Sequence, residues 1–135
     1  TPDDPYWEAV DDFVQQHLIK PGFVSAVDRT LYRITDSCDV AVNEIERFYA
    51  NYDSIRIVGD DLIVRMRRGP DETQLAALSE SFGHIATDGV IRRVEPYQVE
   101  QRQGDALELD RVAFAFDRHG YAELRGLIDA INSYI

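Results

Sequence analysis

Cysteine occurs once in the 135 residues, at Cys38. That excludes an internal disulfide framework and any cysteine-built zinc site, and points to a reducing, cytoplasmic setting. No stretch approaches the roughly 18 consecutive apolar residues of a membrane helix, and no basic-then-apolar leader opens the chain, so neither insertion nor secretion is expected. None of the eight glycines has a partner at GxG spacing and no GxSxG string occurs. A P-loop, a dinucleotide fingerprint and a nucleophile elbow are therefore absent. The three histidines, His17, His84 and His119, lack HxH or HxxxH partners, so no metal site and no cofactor can be read from the chain. Lysine is nearly missing: 13 of the 14 bases are Arg, with Lys20 the exception. Cationic chemistry here is guanidinium chemistry, suited to forked contacts with carboxylate or phosphate. The bases are outnumbered by 25 acids, for a net charge of −11, which opposes nonspecific binding to nucleic acid or to an anionic membrane.

A chain of this length buries roughly two-thirds of its unfolded surface, so one domain with a core, or one with a helical appendage, is expected. Trp7, Val10, Val14 and Leu18 recur at helical spacing over residues 6–18 until Pro21-Gly22 stops the helix. Ser25 with Asp28 resembles a short capping box, followed by a brief strand at 31–34. Asp36 or Ser37 caps a long helix with Ala41, Ile45, Phe48 and Tyr52 on one face. The pattern changes near Ser54. Residues 55–58 and 62–67 read as a hairpin around Gly59-Asp60. Asp71 caps a helix with Leu75, Leu78, Phe82 and Ile85 in a stripe that ends before the Asp88-Gly89 turn. Strands are expected at 90–94 and 111–116, with Val112, Phe114 and Phe116 on one face, and a loop or a partly ordered excursion across 95–110. A last helix carries Tyr121, Leu124, Ile128, Ile131 and Ile135. The order after residue 53 is thus ββαββα, a small two-layer α/β module.

Chemistry-bearing candidates are few. Cys38 lies at an acidic helix start with no base to lower its pKa, so it reads as a small helix residue. His17 and His84 fall late in helices, where the helix dipole favours them, and His119 falls in a strand-to-helix turn. Adjacent acids such as Asp11-Asp12 and Asp60-Asp61 point to different sides and do not converge on one bond. What remains is a set of arginines on or beside the later strands: Arg56, Arg65, Arg67, Arg68, Arg92 and Arg93. Alternation of Arg65 and Arg67 with Val64 and Met66 lines one sheet face or edge with guanidinium groups. That face, with Arg56, Arg65, Arg67 and Arg92 as its anion- or effector-binding candidates, binds an acidic partner surface or an anionic ligand, or else is a solvated face that pairs with local Asp and Glu. Charge is unevenly divided, with 11 acids and 4 bases before Ser54 and 14 acids and 10 bases after it.

Several strings in order resemble the carboxy-terminal part of the longer bacterial members of the LOG (Lonely Guy) family, also labelled lysine decarboxylase-like or Rossmann-fold nucleotide-binding. They are Tyr6-Trp7; Gly22-Phe23-Val24-Ser25 with Asp28; Ile34-Thr35-Asp36-Ser37; 48–56 with Gly59-Asp60; Phe116-Asp117-Arg118; and 127–132. The resemblance implies that residues 1–53 are the closing helices of a Rossmann-like domain and residues 54–135 a small α/β accessory module. It implies a missing N-terminal Rossmann domain, a homo-oligomer, and a nucleotide or other anionic small molecule as ligand. The opening Thr-Pro-Asp-Asp-Pro likewise reads as a loop within something longer. LOG-type members hydrolyse the N-glycosidic bond of nucleoside 5′-monophosphates through a PGGxGTxxE loop and helix, and that motif does not occur here. No catalytic residue is carried over, so the expected chain is a non-catalytic portion of a parent that is itself a phosphoribohydrolase candidate. The alternative is a stand-alone regulatory or oligomerisation module that takes an anionic effector on its arginine face.

Overall fold

The computed structural model describes residues 4–135. The chain divides into two compact units, the first ending at Glu46 and the second spanning Arg47–Ile135. The division falls inside a helix, a little before the change of character that the sequence shows near Ser54.

In the first unit, α1 (Tyr6–Phe13) runs on as a π-helical segment, Val14–Ile19. The chain then closes at Gly22, whose φ is +85°, and the N–H groups of Phe23 and Val24 donate back to the Leu18 carbonyl. A side-chain-free residue is needed at that turn because a Cβ disfavours positive φ. Ser25 and Asp28 form the expected capping box: Ser25 Oγ accepts from the Val27 N–H, and Asp28 Oδ2 accepts from the Ser25 N–H. The box starts a 3-10 helix, Ala26–Leu31. The strand expected at 31–34 does not form: Leu31 closes the helix, and Tyr32 follows in an extended conformation, but among the described residues no strand pairs with it. Asp11 gathers this unit, accepting from Gln15 Nε2, from Arg29 and from the Tyr32 hydroxyl. Those donors, Arg29 first, hold its carboxyl well below the usual range. Helix α2 (Cys38–Phe48) starts at Ser37, whose Oγ accepts from the Val40 N–H. Among the described residues up to Glu46 none is buried.

The second unit is a mixed α/β module. Its elements are β1 (Tyr52–Val58), β2 (Asp61–Met66), α3 (Glu72–Phe82), β3 (Arg92–Arg93), α4 (Gln98–Gln103), β4 (Asp110–Ala115) and α5 (Tyr121–Asn132). The four strands form an antiparallel sheet in the order β1-β2-β4-β3. The hairpin closes with Val58 opposite Asp61, and Gly59, at φ +62°, takes the first turn position that a right-twisting hairpin favours. Helix α3 starts as expected, with Asp71 and Gln74 in a reciprocal capping box.

Alternation divides the sheet. Leu62, Val64 and Met66 of β2 and Val112 and Phe114 of β4 lie fully buried on one face. They share a core with Leu78 of α3 and Leu124, Leu127, Ile128 and Ile131 of α5. Each such side chain contributes roughly 1.5–3 kcal/mol of burial; the expected stripes supply Leu78, Leu124, Ile128, Ile131, Val112 and Phe114, whereas Tyr121 and Ile135 of the expected α5 stripe are exposed and Leu127, outside it, is fully buried. At the open end a pair of amides ties elements together. Asn51 Nδ2 donates to the carbonyls of Arg68 and Ile131, while Asn132 Oδ1 accepts from the N–H groups of Asn51 and Tyr52. Beside α3, Gly83 passes so close to Gly89 that a Cβ would stand 2.6 Å from its carbonyl oxygen.

Three readings of this part change. Tyr52, expected on one face of the helix capped near Ser37, opens β1 instead, because α2 ends at Phe48. Strand β3 is Arg92–Arg93, shorter than 90–94, with one further bond to β4 from the Val94 N–H to the Arg111 carbonyl. The stretch 95–110, expected as a loop or a partly ordered excursion, contains α4, whose start is capped by the Glu100 carboxylate accepting from the Tyr97 N–H and whose C-cap is the left-handed Gly104. Helix α4 covers part of the sheet face opposite the core, so β2 and β4 are buried on both sides. Strand β1 is an edge. Ile55 and Ile57, on the core-side face, are 41% and 44% exposed there, and a register shift at Asp53 bends the strand's start.

Candidate functional site

The face opposite the core carries the arginines. Cross-strand partners share a face in an antiparallel ladder. One row of the register is Arg56, Ile63, Ala113 and Arg92, and the next is Ser54, Arg65 and Arg111. The register therefore brings Arg56, Arg65 and Arg92 to one face, while Arg67, which alternation set beside Arg65, lies beyond the end of β2. It adds Arg111, which the sequence set omitted.

Arg65 and Arg111 stand directly opposite each other on neighbouring strands and are 5% and 1% exposed. Like charges so placed repel, and Glu100 separates them. Its Oε1 accepts from Arg65 Nε at 3.0 Å, Arg65 Nη2 at 2.6 Å and Arg111 Nε at 3.3 Å. Its Oε2 accepts from the Tyr97 N–H at 2.9 Å. Burial alone pushes this carboxyl up, but the donors from Arg65, Tyr97 and Arg111 outweigh it and hold it below the usual range. Asp105 repeats the arrangement one step outward, accepting from Arg65 Nη1 at 3.3 Å, from Arg65 Nη2 at 2.7 Å and from Arg56 Nη1. Those two guanidiniums, Arg65 first, lower its pKa. Arg111 completes its fork on backbone, donating to the carbonyls of Asp105, Ala106 and Leu109. The row thus alternates Arg56, Asp105, Arg65, Glu100, Arg111. No buried side-chain polar atom lacks a partner among the described residues.

The other sequence candidates lie outside this row. Arg92 donates to Asp88 and stands 3.6 Å from Asp61. Asp61 also accepts from the Tyr97 hydroxyl at 2.6 Å, and burial together with that bond pushes the Tyr97 phenol up to about 12. Arg67, beyond the end of β2, donates to the carbonyls of Tyr49 and Ala50 and so holds the chain after α2. Arg93 pairs with Asp110, and the Arg68 N–H donates to Asn51. The reading in which the arginines pair with local Asp and Glu describes what this face does within the chain.

Chemically the row can hold negative charge. Guanidiniums stay protonated, so they cannot shuttle a proton at neutral pH. Cys38 is exposed, and no cluster of three or more His, Cys, Asp or Glu suited to a metal ion occurs among the described residues. The first unit has an open cleft lined by Trp7, Glu8, Ile34, Asp36 and Cys38 among others, with no base in its lining. Its acidity makes it a poor anion site. No described helix is long and apolar enough to cross a membrane.

Comparison with protein-family models, with curated proteins and with solved structures finds no match for the chain. The fold and the site define a mixed α/β module with a charge-paired polar face, joined to a helical unit in which none of the described residues is buried.

Proposed function

We propose that the chain is a non-catalytic, partner-binding portion of a LOG-like nucleotide-binding protein, in which the first unit packs on a Rossmann-like domain and the second is an accessory module. The observation that carries this is the first unit's lack of any buried residue beside large exposed apolar side chains: Trp7, Phe13, Phe23, Val42 and Ile45 are all more than half exposed. Amphipathic helices gain their stability by covering their apolar face, and exposed patches of this kind mark interaction surfaces. Up to Glu46 the chain has ten acids and three bases, which suits a partner surface that is apolar with a basic rim. The resemblance to LOG proteins supplies the identity of that partner, and the missing PGGxGTxxE motif supports the inactive role.

The test joins this chain to the gene sequence upstream of Thr1. A PGGxGTxxE string is expected there. In the joined protein, backbone amides of residues 6–48 should become strongly protected from hydrogen exchange, having exchanged rapidly in the isolated chain. The isolated chain is expected to release no base from AMP. Base release at an enzyme-like rate, or unchanged exchange of residues 6–48 in the joined protein, overturns the reading.

A further inference from the structure

A chain of polar contacts holds residues 95–109 on the arginine face. Tyr97 bonds to Asp61, Gln103 Oε1 accepts from Arg56 at 2.7 Å, and Glu100 and Asp105 bridge the three arginines. Each carboxylate lies between two guanidiniums, at consecutive positions along one row. Two linked phosphoryl groups present their charge in the same way, as adjacent anionic centres that take forked donors. Three guanidiniums face two carboxylates, so the row retains one positive charge in excess. It also opens to solvent at one end, where the Asp105 and Arg56 side chains are 34% and 23% exposed. The cover carries backbone strain next to that opening: Ala106, one residue after Asp105, sits at φ +52°, a conformation disfavoured for a residue with a Cβ.

We propose that Arg56, Arg65 and Arg111 form a binding site for a diphosphate-type anion, and that residues 95–109 occupy it here as an internal ligand which such an anion displaces. The inference stands whether or not the first unit docks on a partner. Tethering gives Glu100 and Asp105 a high effective concentration, so the cover wins when no anion is present. A diphosphate competes by bringing more charge to the same donors and relieving the strained turn. The Asp105 end yields first, because it alone reaches solvent.

Two measurements on the full chain test this, with inorganic pyrophosphate as probe. In calorimetric titration at constant ionic strength, Asp105→Asn is expected to bind pyrophosphate about tenfold more tightly than the unaltered chain, since one internal competitor has lost its charge. Adding Arg56→Gln to that variant should reverse the gain. In hydrogen exchange on the unaltered chain, pyrophosphate is expected to speed exchange of amides in 95–109 and leave those of β2 and α5 unchanged, whereas sodium chloride at equal ionic strength does neither. Absence of binding by both proteins, a double variant that binds as tightly as Asp105→Asn, or equal loosening by chloride and pyrophosphate overturns the proposal. The exchange measurement needs no variant to fold.

Discussion

Replacing Glu100 by glutamine keeps the side chain's shape while removing the charge that stands between Arg65 and Arg111. The amide oxygen can take the place of Oε1 but carries no full charge, the NH2 group then sets donor against donor where Oε2 accepts from the Tyr97 N–H, and two buried cations face each other across the ladder. Breaking a buried ion pair from one side costs roughly 3–5 kcal/mol, so Glu100→Gln should lose stability of that order in urea denaturation. A loss below about 1 kcal/mol, the range of surface pairs, would show that water reaches the row. The sequence made only half of this cluster legible. Arg65 stands out because it interrupts an apolar strand, and Arg56 because its strand partners were readable. Arg111 looked like the polar first residue of a strand. Glu100 and Asp105 lay in a run of polar residues whose composition is that of solvent-exposed chain, and no local pattern distinguishes an acid that swings under a sheet from one that faces water. The one available signal was balance: buried guanidiniums require carboxylates, and 95–110 was the nearest unassigned source.

Helix α4 and its flanks form the element that depends most on pH. Glu100 and Asp105 both have pKa values lowered by the arginines they contact. The unfolded chain therefore binds protons more readily in acid, and stability falls as pH drops. The contribution of these two groups should be constant from neutrality down to about pH 5, above ordinary carboxylate values, should decline below that as the unfolded chain takes up protons the folded carboxyls still refuse, and should be gone once pH has fallen through the folded-state values. On the alkaline side Tyr97 acts in the opposite sense. Its phenol is raised to about 12, so its contribution is present below the ordinary phenol value of about 10 and is lost as pH rises toward 12. Hydrogen exchange across pH 3–7, corrected for intrinsic rates, should show residues 95–109 losing protection before β2 and α5 do. Uniform loss would mean that the cover belongs to the same cooperative unit as the core. The longer elements were read with more success. The α3 cap, the hairpin turn and the α5 stripe each rest on interactions within a few residues. Strand β3 is shorter than its pattern suggests and the segment after Leu31 is extended without pairing, because pairing partners decide strands and those are remote in sequence.

Taken whole, the molecule is unequal. Every member of the hydrophobic core cluster lies within Arg47–Ile135, so that portion expressed alone is expected to unfold cooperatively, with a urea midpoint close to that of the full chain. A non-cooperative transition in the shortened protein would show that the first unit supplies stability. The helical stripe over 6–18 was legible as amphipathic, but periodicity states that a face is apolar and leaves open what covers it. The mixed α/β class followed from element order; the compact units divide after Glu46, inside α2, rather than at the change in pattern near Ser54. How much of the apolar surface finds no cover within the chain became visible only with coordinates.

The uncovered edge of β1, with Ile55 and Ile57 beside it, bears on colloidal behaviour. At neutral pH a net charge of −11 keeps copies apart by mutual repulsion. As carboxylates neutralise in mild acid that barrier disappears, and a free strand edge flanked by isoleucines becomes a template for edge-to-edge association. Solutions should then scatter light first near the isoelectric point, and an Ile57→Lys change, which places a permanent cation on the edge, should delay it.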